Sequence, residues 1–362
     1  MRSRALAVAL ASGLMACSEG PLTSVDTGVF PDAAPDPYDA GVIDLPDVDA
    51  GSRPDAGMID AGFEDPTTLA AGVVPINGLR TFVELRGTLT STMPPLFVLQ
   101  RGPAPGHDYL PPLLAELTTG RTVVYYDMRG TGRTSFGDGT ASSTISTRKH
   151  IEDFAAVVEH VGATYGVNVS KIDILGHEYG GAIGFRYAAA NPAKVERLVV
   201  VNPFPADING YADFRAEVER RLTSSERMRY YAIINRPECW GAMDTCYQEL
   251  WNIVGPHYLC DANQGRFREL INRNGSARTE YFYIERDLRN ASYDWRSFLP
   301  SIQARTTIIT GACDPIPTSV ADAYASGIPG AVRYDLTGSG QYPMLEEHAV
   351  FIDLVKHGFR RP

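Results

Sequence analysis

The stretch DILGHEYGG, Asp173 to Gly181, places a carboxylate where backbone chemistry concentrates. A short apolar run, Ile172 to Leu175, meets Gly176, and an Ala-rich segment with good helix propensity follows Gly181. The pattern reads as strand, tight turn and helix. Glu178 stands at the turn. The first N–H groups of a helix lack intrahelical partners, and the helix dipole favours negative charge there. A carboxylate so placed has three chemical options. It can attack an electrophile and form an ester. It can activate water, if desolvation raises its pKa. It can also accept the free N–H groups and stay inert.

The elements that must hold Glu178 form a regular series from residue 72 onward. Strands are expected at Thr81–Arg86, Leu96–Leu99, Thr122–Tyr126, Ile172–Leu175, Val195–Val201, Thr306–Thr310 and Val332–Leu336. Helical spacing appears over Leu110–Leu117, Ile151–Val161, the segment after Glu178, and His348–His357. Strands alternating with helices imply an α/β fold with a mostly parallel, doubly wound sheet. The reactive groups of such a sheet collect at the carboxyl ends of its strands. Between Val201 and Arg305 the alternation stops. Residues 205–300, rich in Arg, Tyr and Trp, are expected to form a helical cap inserted over that end, with helical stretches at Tyr211–Leu222 and Gln264–Asn272. The core is then 67–204 and 301–362. Trp240, Trp251, Tyr247, Tyr258 and Tyr283 are the aromatic candidates for lining a cleft beneath the cap.

Four further stretches carry a resemblance: VLQRGPAPGHDYL (Val98–Leu110), YYDMRGTGRTS (Tyr125–Ser135), TGACDPIP (Thr310–Pro317) and TGSGQYPMLEE (Thr337–Glu347). With LGHEYGG they resemble, in order, the oxyanion loop, the Asp-x-Arg-Gly turn, the nucleophile elbow, the acid loop and the histidine loop of the α/β-hydrolase superfamily. Within it the chain looks like the proline iminopeptidase branch, from about residue 72 to the C-terminus. The resemblance implies a serine at the elbow, a histidine to take its proton, an acid to orient the histidine, and backbone N–H donors for the oxyanion. Carried onto this chain, Glu178 stands at the nucleophile position, Asp314 at the acid position and Gln341 at the histidine position. Gln100 and Arg101 stand where that branch has His and Gly, while Gly102 and Pro103 remain. Tyr179 can still supply its backbone N–H. No serine has Gly at both −2 and +2; Ser135 has only Gly137. His348 lies seven residues past Gln341 at a helix start, His177 is expected to be structural, and His107 to have a local packing role. Glu249 is the nearest cap acid for a peptide amine.

Three functional readings follow. The first is a site that keeps its architecture without turnover, serving as a ligand-binding protein or scaffold. There Glu178 pairs with Arg101, and Gln341 donates its amide to Asp314. The second is carboxylate-nucleophile chemistry on epoxides or halides through Glu178. The third is residual aminopeptidase or esterase activity with Glu178 as base.

The N-terminal region is of a different kind. Arg2 and Arg4 precede the apolar stretch Ala5–Met15, and Leu14-Met15-Ala16-Cys17 resembles a bacterial lipobox. The expectation is a signal over 1–17, lipidation at Cys17, and an exported protein held on the cell envelope. Residues 18–66 repeat Asp-Ala-Gly at 39–41, 49–51, 55–57 and 60–62 and hold twelve acids against Arg53 alone. Such a segment is expected to be a disordered, extended tether. It accounts for the net charge of −10, so the rest is near neutral and offers no basic stripe for nucleic acid. No cofactor is expected. No metal site is expected either, because Cys239, Cys246, Cys260 and Cys313 lack Cys-x-x-Cys spacing. An oxidising compartment permits disulfides, and one is expected among the three cysteines that lie close in sequence. The expected partner is a small molecule or peptide under the cap.

Overall fold

The computed structural model describes residues 68–102, 106–134, 145–236, 243–267, 284, 287–288 and 293–360. The expected signal segment, Cys17, the acidic tether, Pro103, Ser135, Cys239, Trp240, Tyr283 and the side chain of Tyr247 lie outside them. Eight strands form one sheet in the order β1-β2-β4-β3-β5-β6-β7-β8. They are β1 (Thr68–Ile76), β2 (Leu79–Gly87), β3 (Leu96–Leu99), β4 (Thr122–Tyr126), β5 (Ile172–His177), β6 (Val195–Val201), β7 (Arg305–Gly311) and β8 (Val332–Leu336). β1 pairs with β2, and β2 with β4, in antiparallel fashion; every pairing from β3 to β8 is parallel.

The central strands are continuous apolar runs because both faces of a parallel sheet are covered. β3, β4 and β5 are buried at every position. Beside the strands lie α1 (Leu110–Leu113), α2 (Thr147–Tyr165) and α3 (Tyr179–Ala190). The segment between β6 and β7 contributes α4 (Ile208–Arg221), α5 (Ser224–Ile234) and α6 (Met243–Val254). After β7 come α7 (Thr318–Gly327), α8 (Pro343–Glu346) and α9 (His348–Gly358). The two faces can be assigned from β6. Val200 packs against Gly181 of α3, and its neighbour Val199 against Gly358 of α9. Successive strand side chains point to opposite faces, so α3 and α9 cover opposite sides of the sheet.

The sequence pattern missed β1. Its exposure alternates along an edge strand and it contains Pro75, so it carries no continuous apolar run. The signal that marks it is the turn: Asn77 and Gly78 have φ of 49° and 78°, the left-handed pair of a two-residue hairpin. The expected single helix over Leu110–Leu117 is interrupted instead: α1 stops at Leu114, whose φ of −124° and ψ of 15° leave the helical region, and a 3₁₀ turn follows at Ala115–Thr118. Of the expected Gln264–Asn272 helix, Gln264–Arg266 belong to a 3₁₀ segment that begins at Asp261, Phe267 is α-helical, and 268–272 lie outside the described residues.

The segment between β6 and β7 is fastened at the carboxyl end of the sheet. Arg221 of α4 donates to the carbonyls of Cys313 and Asp314, beyond β7, at 2.6 and 2.9 Å. Gln341 N–H, beyond β8, donates to the Tyr258 carbonyl at 2.7 Å. Cys260 bridges to Cys313, with Cα atoms 5.1 Å apart. The cysteine spacing left the pairing open, and the fold brings Cys313 to Cys260 across 53 residues. Closing a loop of that length restricts the unfolded chain by about 4 kcal/mol. Cys246 is also disulfide-bonded.

Candidate functional site

Glu178 follows β5 and caps α3 with φ 50° and ψ −109°. A non-glycine residue at positive φ is held there by its surroundings. Two close approaches supply the hold. A Cβ on Gly180 would meet the carbonyl oxygens of Leu99 and Gln100 at 2.4 Å, and one on Gly176 would meet the Gly181 backbone at 2.5 Å. The turn therefore needs glycine at both positions, and it brings Glu178 under the loop that follows β3.

The Glu178 carboxylate lies in a ring of backbone donors. Its Oε2 accepts from Tyr179 N–H at 3.0 Å and from Gly102 N–H at 3.1 Å. Its Oε1 lies 3.9 Å from Arg101 Nη2. Glu178 and Arg101 are 1% and 4% exposed. Burial pushes the Glu178 carboxyl above its ordinary range; Arg101 and the two N–H groups pull the other way. The guanidinium of Arg101 packs on aromatic rings, 4.7 Å from the centroid of Trp251, 5.2 Å from Tyr258 and 5.7 Å from Tyr342. So both candidate aromatics whose side chains are described, Trp251 and Tyr258, reach the site, on a core arginine. Tyr342, next to Gln341, was not singled out in the sequence.

Beneath the carboxylate runs a polar chain. Arg101 N–H donates to Tyr109 Oη at 3.0 Å, and Tyr109 Oη is 2.8 Å from His177 Nδ1. His177 Nε2 is 2.7 Å from the Gln341 carbonyl. A carbonyl only accepts, so Nε2 carries the proton and Nδ1 accepts from the tyrosine. Burial and the Arg101 charge lower His177 to about 3, so it stays neutral. Both its nitrogens are occupied within this chain.

The Gln341 and Asp314 side chains do not pair as expected. Gln341 is fully buried, yet its side-chain Oε1 and Nε2 have no hydrogen-bond partner among the described residues. Asp314 Oδ1 accepts from Ile316 N–H at 2.9 Å instead. The reason is the backbone: Gln341 N–H is committed to Tyr258 and its carbonyl to His177, which fixes where the side chain starts. Burial, with the Glu178 charge adding, pushes the Asp314 carboxyl up to about 8.

The other candidates sit elsewhere. Gln100 Nε2 donates to Thr131 Oγ1 at 2.8 Å. His348 contacts the Met344 carbonyl and Glu116 near the surface. Glu249 is exposed and pairs with Arg236 at 3.0 Å. His107 stacks between Phe82 and Tyr125 and holds Asp127 at 2.8 Å and Glu84 at 3.1 Å. Asn202, with φ 46°, was also missed. It ties Gly340 to Gly311 and so sets the two loops that carry Gln341 and Asp314.

The alpha/beta hydrolase family profile matches residues 102–354. The chain belongs to that family. Among curated relatives it is similar to the proline iminopeptidase of Saccharolobus solfataricus, 24% identical over 279 residues, covering 72% of this chain and 83% of that protein. It is 23% identical to that of Lactobacillus delbrueckii subsp. lactis over 78% of this chain and 95% of the relative. Among solved structures, VinJ superposes with a TM-score of 0.62 at 21% identity, covering 81% of this chain and 99% of that one. The proline iminopeptidase of Mycobacterium smegmatis does so with a TM-score of 0.57 at 20% identity, over 80% and 97%. These similarities place the chain in the proline iminopeptidase-like branch of the family. Among the described residues no helix is long and apolar enough to cross a membrane.

Proposed function

We propose that this alpha/beta hydrolase has lost turnover and serves as a ligand-binding or scaffold protein, exported and anchored through lipid on Cys17. One observation carries the reading: Glu178 Oε2 accepts from both Gly102 N–H and Tyr179 N–H. In acyl transfer these are the positions whose donors stabilise the developing oxyanion. A carboxylate that accepts from both leaves neither for a substrate, and its charge repels an anion forming nearby. The other groups support the same reading. Gln341, at the histidine position, is not a base near neutral pH. His177 is neutral with both nitrogens bonded. The same contacts argue against Glu178 as a nucleophile, because the attacking oxygen would have to leave its donors and neither His177 nor Gln341 is free to act as the base that releases the ester.

Restoration tests the proposal. The parent is expected to hydrolyse p-nitrophenyl acetate and prolyl-arylamides no faster than buffer. The triple variant Glu178→Ser, Gln341→His, Arg101→Gly frees both donors and supplies a base. It is expected to exceed the buffer rate by at least about a hundredfold, the scale of general-base catalysis. Hydrolysis by the parent itself would overturn the proposal.

A further inference from the structure

A second cleft lies outside this site. It has a volume of about 510 Å³ and sits between α2, α3 and the return segment Tyr293–Phe298. That size is ordinary for a small-molecule pocket. Its walls include Ile151, Ala189, Leu288, Tyr293 and Trp295, and its prominent polar group is Arg186. The half-buried guanidinium of Arg186 lies 3.9 Å from the ring centroid of Phe298 and 5.5 Å from that of Trp295. Stacking uses the flat faces of a guanidinium and leaves its in-plane N–H groups for other acceptors. Among the described residues no carboxylate, carbonyl or hydroxyl takes them.

The acids of the same cleft are bonded to groups other than Arg186, two of which, Thr147 and Arg148, also line it. Asp287 accepts from Thr147 N–H at 2.9 Å. Glu152 pairs with Arg148 and with Lys149. The cleft therefore combines a pre-oriented planar cation without an anion among the described residues, aromatic walls, and a small alanine surface. A carboxylate matches the in-plane edge of a guanidinium in a two-bond geometry, and an aromatic body matches the walls. We propose that this cleft binds a small aromatic carboxylate, with its acid group on Arg186 and its ring against Tyr293 and Trp295. The site shares no lining residue with the Glu178 site.

Calorimetric titration of the whole protein with phenylacetate and with its neutral counterpart phenylacetamide tests this. Phenylacetate is expected to bind saturably, and phenylacetamide at least about tenfold more weakly, the scale of a charge-assisted pair. Arg186→Gln is expected to weaken the acid at least about tenfold and leave the amide unchanged. Ala189→Phe fills the cleft without touching the arginine and is expected to abolish both. Each variant is compared at matched melting temperature and circular dichroism. Should Arg186→Gln fail to fold, Ala189→Phe and the acid–amide comparison decide. Absence of saturable phenylacetate binding, equal affinity for acid and amide, or binding that survives Ala189→Phe would overturn the proposal.

Discussion

Two buried charge clusters lie near the carboxyl ends of the central strands, and they are built on opposite principles. Around Asp127 every carboxylate oxygen is used. Oδ1 accepts from the backbone N–H of His107 and pairs with its ring, while Oδ2 accepts from the backbone and side chain of Arg133. His107 reaches on to Glu84, which pairs with Arg86. Charge stabilises charge there: Asp127 and Glu84 are held down to about 2 and His107 up to about 9, against the burial that opposes each. Around Glu178 the balance is reversed. The nearest cation stands 3.9 Å away, the Gln341 amide has no partner among the described residues, and burial raises both Glu178 and Asp314. The first cluster is a structural joint. The second holds a carboxylate on two backbone N–H groups, with burial opposing its charge.

The sharpest break in that contrast comes from Asp127→Ala. It leaves the backbone N–H groups of His107 and Arg133 without their acceptor and removes one of the two carboxylates that each of those side chains faces. Removing one partner of a buried ionic network costs about 3–5 kcal/mol. Thermal unfolding is expected to shift down by roughly 10 °C, at about 2–4 °C per kcal/mol for a domain of this size. A shift of only a degree or two would show that the cluster is not the joint described.

Arg101→Ala is expected to cost less, about 1–3 kcal/mol. It removes the packing of a guanidinium on three rings and a long-range pairing, while a Glu178 carboxyl already biased toward protonation can stay buried in its neutral form. The measurement is the same melting curve, beside that of Asp127→Ala. Equal losses would collapse the distinction between the clusters and make Glu178–Arg101 a structural ion pair in its own right.

How much of this was legible follows from what each feature depends on. β3, β4, β6 and β8 could be placed to the residue because burial on both faces, or a clean flanking turn, marks them locally. β1 lacks that mark, although its Asn77-Gly78 turn was there to read. At the site, Glu178 and Arg101 could be brought together in advance, because the loop after β3 and the turn after β5 are adjacent wherever those strands pair. The rings on Arg101 could not. Trp251 and Tyr258 reach it only through cap-to-core packing over about 150 residues of chain, and no local pattern encodes that distance. Gln341 shows a finer limit. Its position was legible and its hydrogen bonds were not, because backbone bonds to Tyr258 and His177, rather than residue type, decide where its amide points.

The last expected effect separates the carboxylates of the two clusters by the sign of their pH dependence. Asp314 has an ordinary pKa of 3.8 and stands at about 8 in the fold. Between those values the folded chain keeps a proton that the unfolded chain has lost. The stability this group contributes is therefore full below about pH 4 and is lost as pH rises toward 8. Asp127 and Glu84 behave oppositely: their folded values lie near 2, so their contribution is present above their ordinary range and lost on acidification. The amide introduced by Asp314→Asn cannot titrate, so only the first slope disappears. Melting temperatures of parent and variant, measured from pH 2 to 9, are expected to converge or cross as pH rises, with the parent losing stability relative to the variant. Below pH 4 the two should fall together, because acid destabilisation belongs to the Asp127 cluster. Parallel curves across the whole range would mean that Asp314 is charged in the fold, and that the Glu178 site is balanced in the same way as its neighbour.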